Sequence, residues 1–189
     1  MKLKGKTVLF LGSSVTYGSA SGGISFADLM AERCEMNCIK EAISGTTLAD
    51  INENSYVARL KQIDKTIRLD LFVCQLSTND ADSTRNIDFA DVEKAIRFIL
   101  DYVKTTFDCP IVFYTGTYFK NERYIAMINL LYRLQKEYAF YILDLFNDVQ
   151  MQSIPDERYK LYMNDPVHPT LEGYSQWWTP KFINFFEEI

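Results

Sequence analysis

The residues with the most chemical promise lie far apart in the chain. His168 is the only histidine, so it is the one side chain whose ordinary titration falls near neutral pH. Asp165 stands three residues before it, and a proline follows each of the two. Each proline fixes its own φ and turns the residue before it away from helix. Asp165 to Pro169 therefore reads as a stiff, non-helical segment that holds a carboxylate close to an imidazole, as a general base and its orienting acid require. A serine hydroxyl is a weak nucleophile that needs such a pair. Ser14, on a tight turn after Gly12, is the candidate. Acyl transfer also needs preorganised donors for an oxyanion. The candidates are the backbone N–H of Ser14, the backbone N–H of Gly45 and the side-chain amide of Asn79.

Taken singly, these signals are weak. A Gly-Ser-Ser turn is ordinarily only a turn, Asn-Asp is ordinarily a turn or cap, and Asp-x-x-His is more often a local hydrogen bond. Gly12-Ser-Ser14 could also cradle a phosphate, but it lacks the lysine of a P-loop and the third glycine of a dinucleotide fingerprint.

The elements that must carry these residues alternate in type. Apolar runs at 6–11, 37–43, 69–76, 110–115 and 140–144 read as strands. The run at 69–76 is almost continuously apolar, as in a strand covered on both faces. Helices are expected after the Ser25 cap, over 56–64, over 91–104 and over 121–138, the last with Ile125, Ile128, Leu131 and Leu134 inward. The stretch after 144 reads as irregular up to His168. Thr170 then caps a helix through Trp178, Thr179-Pro180 breaks it, and Pro180 opens a final helix to Glu188. Tyr174, Trp177, Trp178, Phe182 and Phe185 read as core. Alternating strands and helices predict a three-layer α/β fold with a mainly parallel sheet, whose ligands bind beyond the carboxyl ends of the strands. Gly12-Ser14, Ser44-Gly45 and Ser77-Asn79 each follow a strand. Tyr17, Tyr118 and Phe119 also follow strand ends and are candidates to line a substrate pocket.

The 189 residues are most simply a single domain over 1–189 with ample core. Hydrophobic residues make up 48% and charged residues 24%, ordinary globular usage that argues against disorder. A net charge of −5 without a basic stripe argues against nucleic acid as a partner. No apolar run approaches the roughly 18 residues of a membrane span. The run Val8–Leu11 is too short for a signal peptide's apolar region, so an untargeted, cytoplasmic protein is expected. Cys34, Cys38, Cys74 and Cys109 are read as reduced structural thiols, because one histidine and one close cysteine pair give little support to zinc.

With these residues in hand, the sequence resembles the SGNH (GDSL-type) hydrolases through four motifs that span nearly the whole chain. Gly12-Ser13-Ser14-Val15-Thr16-Tyr17-Gly18 is similar to the family's Gly-Asp-Ser-x-Thr-x-Gly. Ile43-Ser44-Gly45-Thr46 matches the block that supplies an oxyanion glycine. Ser77-Thr78-Asn79-Asp80 is similar to Gly-x-Asn-Asp, and Asp165 to Pro169 matches Asp-x-x-His-Pro. The resemblance implies a flavodoxin-like α/β/α sandwich with a five-stranded parallel sheet of order 2-1-3-4-5. It also implies a catalytic Ser14, His168 and Asp165, an oxyanion hole of Ser14, Gly45 and Asn79, and no metal or organic cofactor. Ser13 and Ser77 depart from the pattern, replacing an aspartate and a glycine. The joint pattern predicts a serine esterase, and the resemblance implies short, acetyl-type esters, such as those on carbohydrates, as its substrates. A lysophospholipase or thioesterase is the alternative, and a catalytically silent binding module on the same fold is a further one.

Overall fold

The computed structural model describes residues 1–189. Its strands are β1 (Thr7–Gly12), β2 (Asn37–Ala42), β3 (Leu71–Gln75), β4 (Ile111–Tyr114) and β5 (Tyr141–Leu143). All four pairings are parallel, and the order is β2-β1-β3-β4-β5. The order changes direction at β1, so the crevice expected of such a sheet lies beyond the carboxyl ends of β1 and β3.

Side chains alternate across the sheet and feed two cores. Leu9, Leu11, Phe72, Cys74, Ile111 and Phe113 pack with α3 (Tyr56–Gln62), α4 (Phe89–Thr106) and α5 (Glu122–Leu134). On the other face, Val8, Phe10, Leu71, Val73, Val112 and Tyr114 meet α2 (Phe26–Cys34) and the C-terminal helix α9 (Thr179–Glu188). Burying each such aliphatic side chain contributes about 1.5–3 kcal/mol. Phe26 is the hub of the second core. It stacks on Phe182 with ring centroids 3.9 Å apart and meets Phe10 and Tyr114 edge-on. Truncating it to alanine is expected to cost about 3–5 kcal/mol.

The structure departs from the sequence expectations in four places. Residues 14–17, read as loop, form a one-turn helix α1 (Ser14–Tyr17) that Gly18 closes with φ 91°. The irregular stretch before His168 contains α6 (Val149–Gln152) and α7 (Asp156–Tyr162). Helix α7 buries no residue and so carries no apolar stripe to reveal it. Thr179-Pro180 does not break the chain's helical course. A short α8 (Leu171–Gly173) continues through a π-helical turn (Tyr174–Trp178) into α9, and the Thr179 N–H reaches back to the Tyr174 carbonyl. The wider turn accommodates a proline near the start of α9, which otherwise removes a helical hydrogen bond and crowds the preceding turn. Ile125 is exposed, because the inward stripe of α5 is Tyr124, Met127, Ile128, Leu131 and Leu134.

Candidate active site

The candidate nucleophile stands where β1 gives way to α1. Ser14 is the first residue of that turn, so its N–H has no acceptor within the helix. Side chains from three other elements hold the turn. Gln75, the last residue of β3, accepts at Oε1 from Ser13 N (2.9 Å), Thr16 Oγ1 (2.8 Å), Thr16 N (3.3 Å) and Ser13 Oγ (3.4 Å). Thr16 Oγ1 also lies 2.6 Å from the Tyr114 hydroxyl of β4. Burial pushes the Tyr114 phenol well above its ordinary value, so it stays protonated and able to donate. Tyr174 donates to the Val15 carbonyl at 2.7 Å. Gly12 makes room for this arrangement, since a Cβ there would stand 1.7 Å from Thr16 Oγ1.

The histidine comes from the other end of the chain on a closed loop. Met163 and Pro169 form an antiparallel bridge, and Asn164 N donates to the His168 carbonyl at 2.9 Å. Gly173 lets α8 approach the end of α7, since a Cβ there would stand 2.0 Å from the Tyr162 carbonyl oxygen. Within the loop, Asp165 Oδ1 accepts from the backbone N–H of Val167 and of His168, both at 2.8 Å. Asp165 Oδ2 lies 2.8 Å from His168 Nδ1, and His168 Nε2 lies 2.8 Å from Ser14 Oγ. Burial alone would push the Asp165 carboxyl up. The hydrogen bonds from Val167 and His168 outweigh it and hold the group below its ordinary value. An ionised carboxylate only accepts, so Nδ1 carries the proton and Nε2 is left to accept from the Ser14 hydroxyl.

The loop after β2 brings Gly45 and Thr46 to the same edge. Gly45 adopts φ +79°, a conformation that strains residues with a Cβ, and its N–H makes no hydrogen bond within the chain. Asn79 Nδ2 donates to the Thr46 carbonyl at 2.8 Å, which orients the amide and leaves its second hydrogen free. Ser77 takes part in this local structure, because its buried hydroxyl accepts from Asn79 N at 3.2 Å.

Several residues with no role expected from the sequence hold these loops together. Asp80 is fully buried and receives Leu48 N and Ala49 N at 2.8 and 2.9 Å. Burial pushes its carboxyl up, and those N–H bonds counter only part of the rise. Arg59, buried on α3, donates to the carbonyls of Gly12 (2.8 Å) and Glu41 (2.9 Å) and to Thr46 Oγ1 (3.1 Å). Arg85 donates to the Gly45 carbonyl at 2.8 Å. A lone Gln in an apolar strand and an Arg on a buried helix face are the signals that mark Gln75 and Arg59 in retrospect.

Of the predicted pocket residues, Tyr17 and Tyr118 are about half exposed at 44% and 50%. Phe119 packs inward, with ring centroids 4.9 Å from Tyr124 and 6.0 Å from Phe146. Tyr118 lines a cavity of about 400 Å³ together with Thr117, Gln152, Asp156, Tyr159 and Trp177. This cavity adjoins the Asp165 loop through α7, and the charge of Asp165 helps raise the Tyr159 phenol, after burial. A further surface cavity, of about 660 Å³, lies at the opposite end of the sheet, where Ile111 and Tyr141 begin their strands. The four cysteines are free, and no three His, Cys, Asp or Glu side chains cluster as metal ligands would. No helix is long and apolar enough to cross a membrane.

A parallel sheet of this order, with Ser14, His168 and Asp165 meeting near its carboxyl edge, has the architecture of the SGNH-type hydrolases. The family model of the GDSL-like lipase/acylhydrolases matches residues 10–176, and the chain belongs to that family. Solved structures share the fold at low identity. A Lactobacillus plantarum protein is 18% identical, with 98% of each chain covered and a TM-score of 0.80. A carbohydrate acetylesterase family member from Sinorhizobium meliloti is 18% identical over 97% of this chain and 100% of that one, with a TM-score of 0.68. The aryl esterase of M. smegmatis is 12% identical over 97% and 99%, with a TM-score of 0.73. No curated protein sequence matches the chain.

Proposed function

We propose that this hydrolase is a serine esterase that cleaves short, acetyl-type carboxylic esters through an acyl-enzyme on Ser14. The carrying observation is the continuous relay from Asp165 through His168 to Ser14, with both key contacts at 2.8 Å. Ser14 Oγ attacks the ester carbonyl while His168 Nε2 takes its proton. The tetrahedral oxyanion is received by Ser14 N–H, Gly45 N–H and the free amide hydrogen of Asn79. His168 then protonates the leaving alcohol, and the acyl group remains on Ser14. Water attacks next, giving its proton to His168, and the carboxylic acid leaves as Ser14 is restored. Asp165 orients the imidazole and stabilises its cation.

A carbohydrate as the alcohol is supported by the lining of the cavity next to the Asp165 loop. Its Tyr118, Tyr159 and Trp177 rings and the polar Asp156 and Gln152, set beside Met151 and Ile154, offer stacking and hydrogen bonds to a sugar. A structure of the same fold is a carbohydrate acetylesterase family member, which is in keeping with this reading.

The test is labelling by a fluorophosphonate probe together with turnover of p-nitrophenyl esters of increasing chain length. Wild type is expected to label and to prefer acetate. Ser14→Ala and His168→Ala should lose roughly 10⁴-fold or more in kcat. Turnover persisting in both variants would remove Ser14 and His168 from the mechanism, and a preference for long acyl chains would favour a lysophospholipase or thioesterase.

A further inference from the structure

The family motif places an aspartate immediately before the nucleophile, and this chain has Ser13 there. Ser13 is fully buried, so the change falls inside the site's supporting structure. The group that meets it is Gln75 Oε1. This oxygen receives the backbone N–H of Ser13 and of Thr16, which bracket Ser14 on either side, and the hydroxyl of Thr16 between them. The Thr16 hydroxyl has one hydrogen, which goes to Gln75, so the Tyr114 hydroxyl is the donor in its 2.6 Å contact with Thr16. The resulting chain runs Tyr114 to Thr16 to Gln75. Gln75 is 2% exposed, and its Nε2 donates to no atom of the chain. What the site uses is the oxygen alone.

We propose that Gln75 is the positioning residue of the nucleophile turn, a single buried acceptor on β3 that sets the aim of Ser14 toward His168. The proposal rests on the esterase reading above. The four donors to Oε1 come from residues 13 and 16 only, so they fix the turn as a rigid unit on the end of the sheet. Serine fits position 13 because it brings a donor to an oxygen that only accepts, where an aspartate would bring another acceptor. Gln75 touches no reacting atom. It acts through the two peptide groups that hold Ser14.

The decisive comparison is between two substitutions of similar size. Gln75→Leu removes the acceptor, and Gln75→Glu keeps an acceptor oxygen while replacing the unused amide with a carboxyl. With p-nitrophenyl acetate, Gln75→Leu is expected to lose roughly 10²-fold in kcat with KM nearly unchanged, the scale of a reacting atom misplaced by an ångström. Fluorophosphonate labelling of Ser14 should slow in parallel. Gln75→Glu should retain most activity, because its carboxyl offers an acceptor oxygen whether ionised or neutral. That rescue by the acceptor-bearing variant, beside the loss in Gln75→Leu of similar size, would not arise if Gln75 merely filled space. Thr16→Val severs the hydroxyl link without touching β3 and should lower kcat while the protein stays folded, which keeps the question open to test if Gln75→Leu does not fold. Gln75→Leu with wild-type labelling and kcat, Gln75→Glu impaired like Gln75→Leu at every pH, or Thr16→Val with unchanged kcat would each overturn the proposal. A wild type that neither labels nor turns over any ester would instead bring down the esterase reading itself.

Discussion

The Arg59 guanidinium donates to the Gly12 carbonyl at 2.8 Å, tying the end of β1 to a helix that carries no reacting group. The same fork reaches the Glu41 carbonyl and Thr46 Oγ1, so one cation spans the nucleophile strand, the neighbouring strand and the Gly45 loop. Glu41 is its carboxylate partner at 3.1 Å. Arg59→Met keeps the length of the stem and removes every donor. It leaves buried carbonyls unmatched and is expected to destabilise the protein by about 3–5 kcal/mol, as breaking a buried charged network does. Urea unfolding monitored by fluorescence reads this directly. A change below 1 kcal/mol, an effect expected of surface pairs, would mean that the network is dispensable.

One amide hydrogen of Asn79 holds the Thr46 carbonyl. The proposed mechanism gives the other to the oxyanion. Asn79→Ala should lower kcat by roughly 10²–10³-fold, the usual effect of losing one oxyanion donor. KM for p-nitrophenyl acetate should hardly move, because the bond strengthens only in the transition state. A rise in KM with kcat preserved would place Asn79 in ground-state binding.

The Asp165 carboxyl is held below its ordinary value, so it stays ionised through mild acid and adds no protonation of its own there. The acidic side of the kcat/KM profile is expected to fall with a slope of one in log units, the mark of a single group, the proposed base. A slope of two would mean that Asp165 titrates with it. The same depression has a sign for stability. The unfolded chain binds more protons than the folded one just below the ordinary carboxylate value, so the contribution of Asp165 is present above that value and is lost as pH falls through the folded one. Unfolding experiments on Asp165→Asn against wild type should show the two stability curves converge in acid.

Ser13→Asp makes the first motif match the family pattern, yet it should lower activity here. It places a carboxylate in a fully buried site facing Gln75 Oε1, where the serine hydroxyl had donated to that oxygen. Like polar atoms facing one another in a buried site carry a desolvation cost of about 1–3 kcal/mol. Reduced kcat together with a lower melting temperature is the expected result, and an Asp variant faster than wild type would show that position 13 tolerates the carboxylate.

Much of the architecture was legible because β1, β3 and β4 are buried on both faces and read as apolar runs, with Gly12-Ser14, Ser44-Gly45 and Ser77-Asn79 each following a strand. The Ser14, Asp165 and His168 cluster could be inferred because Asp165 and His168 are local to one stiff loop and only one histidine exists. The supporting residues were not legible for a different reason. Gln75 meets Ser13 across 62 positions, Arg59 meets Gly12 across 47, and Asp80 meets Leu48 across 32, so no window contains both partners. Helix α7 escaped notice because it turns no face inward, and the π-helical turn because its signature is a hydrogen bond one residue longer than the pattern sought.

Ser14 and His168 meet across 154 positions. A ribosome therefore makes the nucleophile turn, the Gly45 loop and the Asn79 turn long before the loop that carries Asp165 and His168. On the proposed mechanism, a chain clipped anywhere between the two would keep its serine and lose the base, so a single proteolytic cut in that interval would silence it.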